Sequence, residues 1–194
     1  KKYSSSLDIL INKLIYSKIG ASSLTFNPNK TVNQKKIIPS EIDNYFRFGL
    51  LKGYVHDMGA AMLGGVAGHA GLFGNSLDVA KIMQLYLQKG KYGKSVFFKE
   101  EIINEFNKCH FCKNDVRRGI GFDKPEINDQ ENITCNCVSK ESFGHSGFTG
   151  TYAWADPETE IVYVFLSNRT FPSMDNRKLI DYNIRTEIKK IVFN

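Results

Sequence analysis

The sequence predicts a mixed α/β chain: an antiparallel sheet carrying a C-terminal helix on one face, with a mainly helical portion ahead of it. Three observations predict this. Residues 151–155 and 160–167 are runs dense in Tyr, Val, Ile, Phe and Trp, residue types that fit a pleated, half-buried surface. Between them lies Asp156-Pro157-Glu158-Thr159, with Asp at the first position of a turn and Pro at the second, where its fixed φ is already correct. From about Asn176 onward, Ile180, Ile184, Ile188 and Ile191 recur every three or four residues, which marks one apolar helix face.

The preceding elements follow from the same periodicities. Leu7, Leu10, Ile11, Leu14 and Ile15 share one helix face, so the first 55 residues read as mostly helical, with Pro28 and Pro39 bracketing an irregular connection. A second helix follows Asn75-Ser76-Leu77-Asp78, with Val79, Ile82, Met83, Tyr86 and Leu87 on one side. Ser76 and Asp78 suit its cap and first turn, where a carboxylate favours the helix dipole. Polar stretches rich in Asn, Asp or Pro at 27–34 and 124–139 read as loops. The expected layout is one domain over 1–194, mainly helical to about residue 115, then sheet and C-terminal helix from 116.

Composition narrows the function classes. With 42% apolar and 12% aromatic residues the chain can bury a genuine core. No apolar run approaches the roughly 18 residues of a membrane span, and Lys1-Lys2-Tyr3-Ser4-Ser5-Ser6 is not followed by the apolar stretch of a signal peptide. The net charge of +6 is scattered, with basic residues adjacent only as isolated pairs, Lys1-Lys2, Lys35-Lys36, Arg117-Arg118, Arg177-Lys178 and Lys189-Lys190. A nucleic-acid binder concentrates its cations in a stripe. A diffuse positive field instead suits a soluble surface or an anionic substrate.

The most informative stretch is Ser142-Phe-Gly-His145-Ser146-Gly147-Phe148-Thr149-Gly150-Thr151. A hydrogen-bonding side chain two residues from a glycine, on an apolar strand, implies that backbone comes close to something there. The next amide, that of Phe148, is placed to face a ligand. This passage resembles the third active-site motif, Lys-Thr-Gly or His-x-Gly, of the serine β-lactamase and penicillin-binding-protein superfamily. The resemblance extends to Gly64-Gly65-Val66-Ala67-Gly68-His69-Ala70-Gly71-Leu72-Phe73, to Arg118-Gly119-Ile120-Gly121-Phe122, which stands where the family has a Tyr-Gly-x-Gly-Trp strand, and to the end of the chain, Asn168-Arg169-Thr170-Phe171-Pro172 before the last helix. With Gly53-Tyr54-Val55-His56-Asp57 it is most similar to the branch fused behind a family 3 glycoside hydrolase, an N-acetylhexosaminidase of peptidoglycan recycling.

The resemblance implies an α/β fold of the β-lactamase/transpeptidase type and acyl transfer from an amide or ester carbonyl to a serine. It implies that His145 orients substrate or relays a proton, that Gly147 admits the substrate, and that the Phe148 amide polarises its carbonyl. Ser146 and Thr149 would line the substrate, and Arg177 would hold its carboxylate. The partners implied are a peptidoglycan-derived peptide or small acyl substrate and an upstream portion of the same polypeptide, in the bacterial cell envelope or periplasm, with no catalytic cofactor. The alternatives are an esterase on the same scaffold and a non-catalytic accessory domain of a glycosidase.

The family nucleophile is the serine of Ser-x-x-Lys, and no serine here has a lysine three residues on. Tyr3-Ser4-Ser5 has the letters of the second family motif, Tyr-x-Ser, but in the wrong place and reads as coincidence. The chain therefore reads as the C-terminal portion of a catalytic domain and is expected to be inactive alone. Four cysteines, Cys109, Cys112, Cys135 and Cys137, fall in two tight pairs across a 22-residue interval. They fit a structural zinc site, with His110 as a spare ligand, or disulfides crossing from one pair to the other in an oxidising compartment. Both readings stand. His56-Asp57 could form a pair at a site rim, His69 reads as loop packing, and Asp156 as a turn former only.

Overall fold

The computed structural model describes residues 4–114, 116–125 and 135–194; Tyr3 and most of the 124–139 stretch lie outside the described residues. The chain divides into two compact units, residues 1–79 with 166–178, and residues 80–165 with 179–194.

The first unit opens with α1 (Leu7–Ile11), which widens into a π-helical turn over Asn12–Tyr16. The expected helical dominance ends there. Strand β1 (Thr25–Phe26), β2 (Pro39–Asp43) and β3 (Gly49–Lys52) follow before α2 (Met58–Met62) and β4 (Leu72–Phe73). β2 and β3 form a hairpin whose tip is fixed by one side chain. Asp43 accepts hydrogen bonds from the backbone N–H groups of Tyr45, Phe46 and Arg47 and from Arg47 Nη1. Helical periodicity could not reveal this turn, because local side-chain-to-backbone bonding specifies it. Although burial raises the Asp43 pKa, these donors win and hold it at about 2.

Residues 166–178 strap across β2. Thr170 Oγ1 donates to Ser40 O at 2.7 Å, Ile42 N to Pro172 O at 2.8 Å, and the Asn168 side-chain amide to Pro39 O. Arg169 reaches the Met174 and Asn176 carbonyls. Asn168 and Arg169 thus brace this unit. The buried Glu41 takes the Tyr45 hydroxyl at 2.8 Å and the Met174 N–H at 3.2 Å.

Helix α3 (Ser76–Leu87) crosses the boundary between the units. Its cap is Asn75, whose side chain accepts the Asp78 N–H at 2.8 Å, while Asp78 accepts from Ser23 N. In the second unit, β5 (Lys91–Tyr92) and β6 (Ser95–Val96) make a short hairpin before α4 (Glu100–Asn107).

The sheet that positions the candidate site comprises β7 (Phe143–Ser146), β8 (Tyr152–Asp156) and β9 (Ile161–Phe165), all antiparallel. The two strands and the turn expected between them are present. Alternation along each strand gives the sheet two faces. Phe143, Ala153, Ala155 and Val162 pack on Met83, Tyr86, Leu87 and Phe122. Tyr152, Trp154 and Tyr163 face α6 (Ile184–Phe193), where Tyr163 donates to Arg185 O and Lys189 lies 4.3 Å from the Trp154 ring.

The C-terminal helix departs from expectation twice. It is broken, with α5 (Lys178–Asp181) ending before Asn183, which takes a left-handed conformation. Its isoleucines also do not form the packed face. Ile191 is 81% exposed, whereas Thr186 and Lys189 are buried. Lys189 donates to Tyr152 Oη and sits over two aromatic rings, so a cation–π contact takes the place of aliphatic packing. Asp156 also exceeds its expected role, since besides turning the chain it accepts from Ser139 N and Ser139 Oγ. Among the described residues no helix is long and apolar enough to cross a membrane.

Candidate active site

His145 lies at the end of β7, on the face shared with Phe143 and opposite Ala153. Its Nδ1 is 3.1 Å from Asp123 Oδ2. Asp123 is delivered by its own backbone, because Asp123 N donates to Gly144 O and Gly144 N donates back to Asp123 O. This two-bond bridge fixes the carboxylate against the imidazole. Arg118 Nη2 holds the other carboxylate oxygen at 2.9 Å. Burial alone would raise the Asp123 pKa, but the hydrogen bond and charge of His145, with the charges of Arg118 and Arg117, bring it below the ordinary value. A histidine held through one ring nitrogen presents the other in a fixed direction, the arrangement of an oriented proton carrier or ligand donor.

Residues 118–122, expected as a strand, form a tight turn instead. Gly119 N donates to Phe122 O, and Arg118 makes an isolated bridge to Asp123. The turn inserts Phe122 against Tyr86 and Phe143, at ring separations of 5.0 and 5.2 Å. Sequence reasoning missed Asp123; the available signal was a carboxylate directly after the Gly-Ile-Gly-Phe passage.

β7 ends at Ser146, so Gly147, Phe148 and Thr149 lie beyond the strand rather than on it. Gly147 N donates to Thr151 O, and Gly150 N to Gly147 O. This closes a turn that places Phe148 at the surface, 61% exposed. The reason for glycine at 147 is local: a Cβ there would meet the Thr151 hydroxyl. Gly144 is the more constrained position, where a Cβ would strike the Trp154 ring and the Ala153 carbonyl. Ser146 faces away from His145, on the α6 side, opposite Tyr152. Arg177 belongs to the first unit and is exposed there.

The first unit holds His56 and His69. His56 and Asp57 each meet another side chain. His56 Nε2 is 3.0 Å from the buried Glu41, and Asp57 caps α2 through Ala60 N while meeting His69 Nε2 at 3.1 Å. The cap and His69 lower the Asp57 pKa.

The cysteines do not converge. Cys109 bonds Cys112 and Cys135 bonds Cys137, with Cα separations of 5.6 and 5.1 Å that lie in the ordinary disulfide range. Each pair closes on itself instead of crossing the interval. Among the described residues no group of three or more His, Cys, Asp or Glu side chains is placed to hold a metal ion. Sulfurs tied in disulfides are not thiolate donors, so this arrangement does not fit a tetrathiolate zinc. His110 Nε2 instead lies 2.9 Å from Glu105 O.

Sheet, turn and oriented histidine together define a β-lactamase/transpeptidase-like fold. The Beta-lactamase family model matches residues 20–186, and the chain belongs to that family. A protein of Escherichia coli (strain K12) described as "Putative D-alanyl-D-alanine carboxypeptidase" is 33% identical over 178 residues, which cover 84% of this chain and 40% of that protein. The chain thus spans about 40% of the length of this relative. Among solved structures, a penicillin-binding protein homologue from Caulobacter crescentus superposes with a TM-score of 0.55 at 17% identity, over 84% of this chain and 47% of that one. EstCE1, a hydrolase with promiscuous acyltransferase activity, gives 0.57 at 15% identity, over 95% and 50%. At these identities the superpositions report the fold.

Proposed function

We propose that these residues form the substrate-side wall of a serine acyl hydrolase that acts on D-amino-acid peptides of the peptidoglycan type. The observation that carries this reading is His145, oriented by Asp123 at the end of β7 and next to the Gly147–Thr151 turn. An imidazole fixed through Nδ1 leaves Nε2 to contact substrate or move a proton, and the Phe148 amide would polarise the substrate carbonyl. The relatives described as "Putative D-alanyl-D-alanine carboxypeptidase" support the substrate class, and that class in turn supports a place in the cell envelope. No Ser-x-x-Lys occurs in the 194 residues, so the reading assigns the nucleophile to sequence outside them. Arg177 remains a candidate for the substrate carboxylate, and fusion to a glycosidase is a further expectation of the same reading.

The test is made on the polypeptide that contains this chain. A fluorescent penicillin should label a serine outside residues 1–194, and release of D-alanine from a model peptide should fall at least about 100-fold in His145→Ala. Labelling of a serine within this chain, or full activity in His145→Ala, would overturn the assignment.

A further inference from the structure

We propose that the Cys109–Cys112 bridge is a thiol–disulfide exchange site whose two states change how Asp123 holds His145. An effect on catalysis rests on the proposed function; the exchange and its effect on the imidazole do not. Spacing and access carry the exchange chemistry. Cys109-His110-Phe111-Cys112 has the Cys-x-x-Cys spacing at which one cysteine is activated as a thiolate. Both of its cysteines are partly exposed, whereas Cys135 of the other bridge is buried, so an outside thiol reaches the first bridge more readily. That bridge joins residues only three positions apart. Stabilisation by a disulfide grows with the loop it closes, so opening this one leaves the fold largely supported. A small thiol attacks one sulfur and displaces the other as a thiolate, giving a mixed disulfide. A second thiol then attacks the mixed disulfide and frees the cysteine. In balance, the bridge and two RSH become two cysteine thiols and RSSR, so the protein gains two electrons and two protons.

The coupling to His145 runs through one carbonyl. Cys109 Sγ lies 3.7 Å from Val116 O, and Val116 O accepts the Arg118 N–H at 2.9 Å. In the disulfide the sulfur has no hydrogen to give, whereas in the dithiol it does. Reduction therefore adds a second donor to the carbonyl that fixes the Arg118 backbone. Arg118 Nη2 in turn holds Asp123 Oδ1 at 2.9 Å, and Asp123 Oδ2 meets His145 Nδ1 at 3.1 Å. The loop and the turn after it keep their anchors in both states. His110 Nε2 donates to Glu105 O and Ile120 N donates to Phe106 O, both carbonyls in the last turn of α4. Neither bond involves a sulfur. Opening the bridge thus alters the hold on the imidazole without melting the segment that delivers Asp123.

Two measurements on the 194-residue protein test this. Graded dithiothreitol, then iodoacetamide and peptide mapping, should alkylate Cys109 and Cys112 at least about fivefold faster than Cys135 and Cys137. In the same titration the His145 ring resonances, assigned by their loss in His145→Gln, should shift as the first bridge opens. They should return on reoxidation, with the circular dichroism unchanged throughout. The double variant Cys109→Ser with Cys112→Ser should make the His145 signals insensitive to dithiothreitol, whereas Cys135→Ser with Cys137→Ser should keep the full response. If either double variant does not fold, the wild-type titration decides. Equal alkylation of the two bridges, His145 signals unmoved once Cys109 and Cys112 are reduced, or an undiminished response without those two cysteines would overturn the switch. Loss of the circular dichroism signal on reduction would also overturn it, making the bridge a structural staple. No substrate enters these readouts, so their failure is distinct from failure of the acyl-hydrolase reading, which is judged on serine labelling and D-alanine release.

Discussion

Asp123 holds His145 through a 3.1 Å contact while its own backbone exchanges two hydrogen bonds with Gly144, the residue just before the histidine. The strand that carries the imidazole therefore also places the carboxylate that orients it. Neither group can move along the strand without breaking the bridge. For the acyl hydrolase proposed above, Asp123→Asn should lower acylation about tenfold or more, and Asp123→Asn with His145→Gln should be no slower than His145→Gln alone. Such non-additivity in a double-mutant cycle marks a positioning residue; additive losses would contradict it.

The same contact has a pH signature. The Asp123 pKa lies below its ordinary value, so the stability it contributes is present above the unfolded pKa of 3.8. That contribution is lost as pH falls through the depressed folded value. Urea denaturation of wild type and Asp123→Asn should differ at pH 6 and converge toward pH 3. The difference should be small, because Arg118 and His145 are both about half exposed.

Asp43 gives a second, independent acid transition. Held at about 2 by the hairpin-tip donors, it supports the β2–β3 turn above pH 4 and loses that role between about pH 4 and 2. Asp43→Asn should flatten the pH dependence of unfolding in that window. A dependence unchanged by the substitution would remove Asp43 as its source.

The disulfide pairing predicts a simple digest. Because each bridge is local, trypsin cleavage after Arg117 or Arg118 should separate the two cysteine pairs without reductant. Peptides that stay joined until reduction would show cross-pairing. Four reduced thiols with one equivalent of zinc would show a tetrathiolate site instead.

The two glycines of the β7 region should differ in cost. Gly144→Ala drives a methyl into Trp154 and an immovable backbone carbonyl, which should destabilise by about 1–3 kcal/mol. At Gly147 the obstacle is the Thr151 hydroxyl, which can rotate away, so Gly147→Ala should cost less. Thermal unfolding of both variants checks the order.

The sheet was legible in the sequence because strand residues and the Asp-Pro turn act locally, and the histidine was legible because its neighbours resemble a known motif. Much of the rest depends on pairing across sequence. The β2–β3 hairpin is short and fixed by one aspartate rather than by alternation. Asp123 acquires meaning only when Gly144 pairs with it. The π-turn at Asn12–Tyr16 and the break at Asn183 leave no mark in apolar periodicity. The final helix shows where periodicity misleads: the isoleucines recur correctly, but aromatic rings at 152 and 154 give a lysine the better partner.

That helix is inside out by hydropathy, with Lys189 buried and Ile191 and Val192 turned outward. Its tolerance to substitution should therefore run against chemical intuition. Replacing Ile191 with a charged residue removes little contact, whereas exchanging Lys189 for a leucine of similar reach discards the cation over Trp154 and the donor to Tyr152. Any effort to improve solubility or stability by inspecting this segment as text would conserve the dispensable positions and alter the one that anchors the helix.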